Sequence, residues 1–295
     1  MNERARAYLM LLLVYGVAVA VGAGVYVALS GVSELWRAAA ADAAATLAVF
    51  AFSVGVRNSS MYDPYWSAAP PALFLLWSMT HEVSPRALLV GGLATLWGAR
   101  LTWNFLRGFP HLRHEDWRYV DLRRQHGSRF WFVNLTGIHL MPTALTFAGS
   151  VPMLVVLQTP GAALNYLDAV AAAVTLLGIT YEGVADQQLR SFVEGKPPPG
   201  SWLDRGLWRH SRHPNYFGET TFWWGLFLFA LAADPASWWW AGLGAAAITL
   251  LFVFISIPML DRRMVARRPG YEDHMRRVSR LVPWPVKDAP NDATS

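Results

Sequence analysis

The chain contains no cysteine. That absence removes disulfides, zinc–thiolate sites, iron–sulfur clusters and cysteine nucleophiles together, and it leaves the compartment open. Charge is also scarce: Asp, Glu, Lys and Arg make up 15% of 295 residues, against 54% hydrophobic. Soluble globular domains carry about 25% charged residues, so this composition argues against an ordinary soluble enzyme. No internal repeat is visible. "GLGAAA", Gly242–Ala247, mimics a dinucleotide fingerprint, but it lies in an apolar run and follows no strand. It reads as small-residue helix packing, and a soluble Rossmann domain is absent. "HLRH" (His111, His114) and "HSRH" (His210, His213) look like metal boxes, yet there is no paired His-His box and His81 and His139 are isolated. No metal site is expected.

What the chain has is a series of apolar runs near the ~20 residues needed to cross a bilayer. Candidate spans are Tyr8–Leu29, Ala41–Val56, Pro70–Thr80, Arg86–Leu106, Gly137–Leu157, Leu164–Ala185, Asn215–Ala232 and Ser237–Pro258, the third being short. This predicts an all-α polytopic membrane bundle of seven or eight spans. The first run is long for a signal-peptide core and lacks an A-x-A site at its end, so it reads as a retained span. With the N-terminus inside and spans alternating, only Arg37 and Arg86 fall outside and Arg100 lies within a span. Every other Lys or Arg lies on the inner side, as the positive-inside rule requires, with both termini cytoplasmic. The expected location is the inner (cytoplasmic) membrane. The positive net charge is then a topology signal, and no nucleic-acid partner is expected. The expected organisation is an N-terminal span with its external loop (1–40), a membrane bundle (41–285) and a disordered tail (286–295).

Ionisable groups are costly in a bilayer, so each cluster needs a reason. In "ARLTWNFLRG", Arg100, Asn104 and Arg107 share one helix face; snorkelling explains Arg107 better than the deeper Arg100. In "YEGVADQQLRSF", Glu182, Asp186 and Arg190 repeat every four residues; an i, i+4 ion pair accounts for Asp186 and Arg190 and leaves Glu182 beside a like charge. In "HSRHPNYFGE", Pro214 suits a first helical turn, and Asn215 and Glu219 share a face one turn apart. Arg209, Arg212 and two His add donors where a helix N-terminus attracts phosphate. The tail "MLDRRMVARRPGYEDHMRRVSRLVPWP" reads as a basic amphipathic segment on the inner leaflet. All four clusters fall on the cytoplasmic side, as a site open to the cytosol would.

Together these motifs resemble the steroid 5-alpha-reductase superfamily, in its bacterial branch. The resemblance runs from about Asn58 to Trp284 through "NSSMYDPYWS", "EDWRY", "GIHLMPT", "ADQQLRSF", "GLWRHSRHPNYFGE" and "YEDHMRRVSRLVPW". The "RHPNY" element alone is shared with isoprenylcysteine and phospholipid methyltransferases and delta-14 sterol reductases. The resemblance implies NADPH bound at the cytoplasmic side and a lipidic substrate, sterol- or isoprenoid-like, entering from the bilayer. It matches the family's cofactor contacts to Asn215, Glu219, Asp186, Arg190 and Arg100, with Glu182 replacing a family Asn and the C-terminal cations matching loosely near Arg263. Residues and resemblance give an expected cofactor set of Arg100, Asn104, Glu182, Asp186, Arg190, Arg209, His213, Asn215, Tyr216, Glu219 and Arg263. The family polarises its enone substrate with an acid and a Tyr in early spans; Tyr62 and Asp63 are the candidates, against an Asx-type turn at Asp63-Pro64. The expected activity is NADPH-dependent reduction of an activated C=C bond in a membrane lipid. An S-adenosylmethionine-dependent lipid methyltransferase and a non-catalytic lipid-binding membrane protein are the alternatives.

Overall fold

A computed structural model of the chain describes residues 2–287. Residues 288–295 of the tail expected to be disordered lie outside the described residues. The regular elements among the described residues are all helical, and Ser211 and Ser279 add an isolated parallel β-bridge. The chain divides into two compact units, residues 1–161 and 162–295.

The first unit opens with α1 (Glu3–Ala28), capped by Asn2, whose side chain accepts from Ala5 N at 2.7 Å. It packs along α2 (Glu34–Val56). Helix α2 ends where Arg57 turns left-handed, at φ 55°. After a short 3-10 turn come α3 (Tyr65–Ser78), with Pro70 and Pro71 inside it, and α4 (Pro85–Gly108), capped by Ser84 with Pro85 in its first turn. Then follow α5 (Trp117–His126), capped by Asp116, and α6 (Phe130–Asn134), which runs through a π-helical turn at Leu135–Leu140 into α7 (Met141–Gln158).

The second unit begins with α8 (Tyr166–Glu194), started by a reciprocal capping box between Asn165 and Asp168. It lies against α9 (Pro214–Ala233) at very short range. Glycine permits this: a Cβ on Gly178 would sit 2.5 Å from Phe222 N, and one on Gly218 would sit 2.5 Å from Glu182 N. Helix α10 (Leu243–Leu251) continues through a π turn at Phe252–Ser256 into α11 (Ile257–Arg267), and α12 (Tyr271–Arg277) starts after Gly270 at φ 84°.

Among the described residues, five helical stretches are long and apolar enough to cross a membrane: Glu3–Ala28, Glu34–Val56, Trp117–Gln158, Tyr166–Glu194 and Pro235–Arg267. By helix length and hydropathy the chain is a multi-pass membrane protein. Helix α3, the short third candidate, has 14 residues, about 21 Å at 1.5 Å per residue, less than the ~30 Å hydrocarbon layer. Helices α4 and α9 are long enough, but Trp, Thr and charged residues dilute their hydropathy below that of the other five.

Candidate functional site

In the first unit two sequence motifs lock together. Asn58 caps the 3-10 turn by accepting from Ser60 N at 2.9 Å, and its amide donates to Leu112 O at 2.6 Å and His114 O at 2.9 Å. Ser59 N donates to Glu115 Oε1 at 2.8 Å, and Asp116 N donates to Ser60 Oγ at 2.9 Å. Asn134 reaches the same turn, donating to Ser59 Oγ at 3.0 Å. "NSS" and "HED" therefore satisfy each other's backbone groups.

Tyr62 and Asp63, the expected substrate-polarising pair, turn to different partners. Tyr62 is 2% exposed; its hydroxyl bonds Thr143 Oγ1 at 2.8 Å, its ring stacks on Tyr65 and it lies tilted against His139. Asp63 accepts a short hydrogen bond from the Tyr119 hydroxyl and faces Arg118 at 3.8 Å. Burial pushes its carboxyl up to about 6, against the pull of Arg118 and Tyr119. Its contacts make it a fastener between the turn and α5.

A different acid–tyrosine pair faces open space. Tyr65 donates to Asp42 Oδ1 at 2.7 Å, while the other carboxyl oxygen, Oδ2, is buried without a hydrogen-bond partner. Asp42 lies about 12 Å along α2 from its start, well inside the apolar stretch. Both side chains line a cavity of about 180 Å³ walled by α1, α2 and α3, mostly with small residues such as Ala18, Gly22, Ala45 and Ala69. Val19, on its rim, is 65% exposed, so the cleft opens sideways where lipid would lie. Asp42 escaped the sequence reading. Its signal was a single carboxylate inside the alanine run "AAAADAAAT".

On α4, Arg107 donates a short hydrogen bond to Asn104 Oδ1, so those two share a face as the spacing requires, and Arg100, one turn before Asn104, is half-buried.

In the second unit, Glu182 on α8 and Glu219 on α9 are both buried, and Asn215 and Asp186 are half-buried. Arg190 pairs at 2.8 Å with Glu194, one turn further along. Arg209 is exposed and Arg263 half-buried. His213, the residue before Pro214, bonds Asp261 Oδ1 at 3.0 Å through Nε2, and Arg212 holds Oδ2 at 2.8 Å. Tyr216 stacks flat on Phe252, with ring centroids 4.3 Å apart, and lies parallel to His213. The tail braces this turn: Arg212 N donates to Ser279 O at 2.9 Å, Ser211 Oγ to Leu281 O at 2.7 Å, and Trp284 N to His210 O at 3.0 Å. The two motifs are thus one structural piece. Asp261 was also missed in the sequence, where it sits as a lone acid in a run of arginines.

Residues 49–278 match a family described as proteins of unknown function, DUF1295. The chain belongs to DUF1295. An uncharacterized protein of Schizosaccharomyces pombe is 27% identical over 270 residues, covering 80% of this chain and 77% of the relative. No solved structure matches. The DUF1295 match contains the Asn58 clasp, Tyr65, the α8–α9 carboxylates and the Arg212–Asp261–His213 cluster, and it begins after Asp42.

Proposed function

We propose that this DUF1295 protein is a membrane reductase that uses NADPH to reduce a C=C bond conjugated to an oxygen function in a neutral lipid. The observation that carries the proposal is the Asp42–Tyr65 pair at the wall of a small-residue cleft, with one carboxyl oxygen unmatched by protein. A buried polar atom without a partner is costly, and a ligand oxygen in the cleft would satisfy it. A neutral carboxyl donates from Oδ2 to a carbonyl oxygen, and an ionised one accepts from a hydroxyl. Tyr65 fixes Oδ1 and so orients the acid. Donors aimed at an oxygen on which enolate charge develops stabilise the transition state more than the ground state. The apolar walls hold the rest of the lipid and exclude water.

The residues of the second unit fit NADPH by the chemistry of their donors and acceptors. Arg190, Arg209 and Arg263 suit phosphates. The backbone N–H groups at the start of α9, where His213 makes no side-chain cap, suit an anion. Glu182 and Glu219 are acceptors for ribose hydroxyls or a carboxamide. When bound, NADPH supplies a hydride to the carbon β to the carbonyl, and a proton at the α carbon completes the product. The resemblance to steroid 5-alpha-reductases supports the same assignment, with Asp42 and Tyr65 taking the role first given to Asp63 and Tyr62. The positive-inside pattern supports a cofactor site facing the cytoplasm.

The test is binding of NADPH and of S-adenosylmethionine to detergent-purified full-length protein. Selective NADPH binding that is lost in Glu219→Ala supports the reductase. Saturable S-adenosylmethionine binding without NADPH binding would establish the methyltransferase instead, and binding of neither a non-catalytic lipid-binding protein.

A further inference from the structure

A second cavity, of about 600 Å³, lies in the second unit where α11 leaves the apolar stretch and α12 follows. Arg212, Arg262 and Arg280 line it, together with Asp261 and Glu272. These charges do not simply cancel. Both oxygens of Asp261 are occupied, one by Arg212 and one by His213, so this acid is spent within the wall. Glu272 is exposed.

Two of the three cations are held in place by protein groups. Arg212 is 7% exposed and held by Asp261 and by Met275 O at 2.8 Å, while its Nε is buried without a partner. Arg280 makes a short hydrogen bond to Val253 O, in the π turn, where altered hydrogen bonding leaves carbonyls available. Arg262 is exposed at the rim. The surrounding sequence is strongly basic, with seven Arg against two acids between residues 262 and 280. Pro258, Val265 and Met275 complete the wall with apolar surface.

We infer that this cleft binds the phosphate of an anionic membrane phospholipid. A basic pocket at the end of a membrane span, inside a cluster of arginines, is the arrangement that recognises anionic headgroups. Guanidinium groups bind phosphate oxygens through paired hydrogen bonds. The apolar wall is what distinguishes a lipid from a soluble phosphate: it accepts the start of an acyl chain, for which a free anion has no use. The inference is independent of the Asp42 cleft and of the proposed reductase activity.

Retention of phosphatidylglycerol by the detergent-purified full chain, read by native mass spectrometry, tests it. Phosphatidylcholine, inorganic phosphate and NADPH serve as competitors. Phosphatidylglycerol is expected to bind, to resist all three competitors, and to bind roughly thirtyfold more weakly to the Arg262→Gln, Arg280→Gln double variant. Arg113→Gln, an exposed arginine of the other unit, is expected to leave it unchanged. Should the double variant lose its helical circular dichroism, the rim variant Arg262→Gln alone is expected to weaken retention about fivefold. Equal retention of phosphatidylcholine, displacement by phosphate or NADPH at matching concentration, or full retention by the folded Arg262→Gln variant overturns the inference.

Discussion

Asp42 and Asp63 are both carboxylates of the first unit, and each meets a tyrosine hydroxyl. Their other oxygens differ. Asp63 is enclosed by protein groups, with Tyr119, Arg118 and the Ser60 turn around it. Asp42 has one oxygen bound by Tyr65 and one left over beside an apolar cleft. A satisfied acid holds structure together; an acid with a spare oxygen next to space is available to a ligand. The same residue pair is thus a fastener in one place and a candidate site in the other, and partner accounting separates them where residue type does not.

The largest expected effect falls on Asp42. Asp42→Asn should lower turnover of the lipid substrate by about 10²–10³-fold while leaving the unfolding midpoint close to wild type, since Tyr65 keeps an acceptor. If Asp63→Asn abolished turnover without loss of stability, the two roles would be exchanged. Next, Asp63→Ala should cost about 2 kcal/mol in detergent unfolding, because it strands the buried Tyr119 hydroxyl, while Arg118 keeps its closer partner Asp116 at 2.7 Å. A milder consequence is a pH dependence confined to the fastener. The folded-state value for Asp63 is raised from 3.8 to about 6, so its contribution to stability is fully present below 3.8 and is lost as pH rises through about 6. Wild-type stability should therefore fall across that window relative to Asp63→Asn, and parallel pH profiles for the two proteins would contradict the assignment. The smallest effect belongs to Arg190. Its pair with Glu194 is partly exposed, so Arg190→Gln should change stability by less than about 0.5 kcal/mol. A measurable loss of NADPH affinity in that variant would separate a cofactor role from a surface ion pair.

The helical, multi-pass character was legible because apolar runs are local signals. Candidate spans at Tyr8–Leu29, Ala41–Val56 and Leu164–Ala185 fall on α1, α2 and α8, with ends displaced where polar residues still continue the helix. The motif "HSRHPNYFGE" gave the start of α9 at Pro214 through the proline rule. Its bracing by the tail was not legible, because the Ser211–Ser279 bridge joins residues far apart in the chain. Asp42 was hidden for a related reason. Spacing shows which side chains share a face of one helix, but an unmatched oxygen depends on what neighbouring helices bring, here Tyr65 from α3. The adjacency of Tyr62 and Asp63 in sequence suggested a pair, whereas neighbouring residues in a turn point to different neighbours.

The most direct test of the central claim compares wild type with Asp42→Asn in one experiment. Each purified protein is titrated with NADPH and then given a neutral lipid extract while NADPH consumption is followed. The expected result is equal NADPH affinity in both, with consumption only by wild type. Unequal affinity, equal consumption, or no NADPH binding by wild type would contradict the assignment of the Asp42–Tyr65 cleft as the place where the substrate oxygen is held.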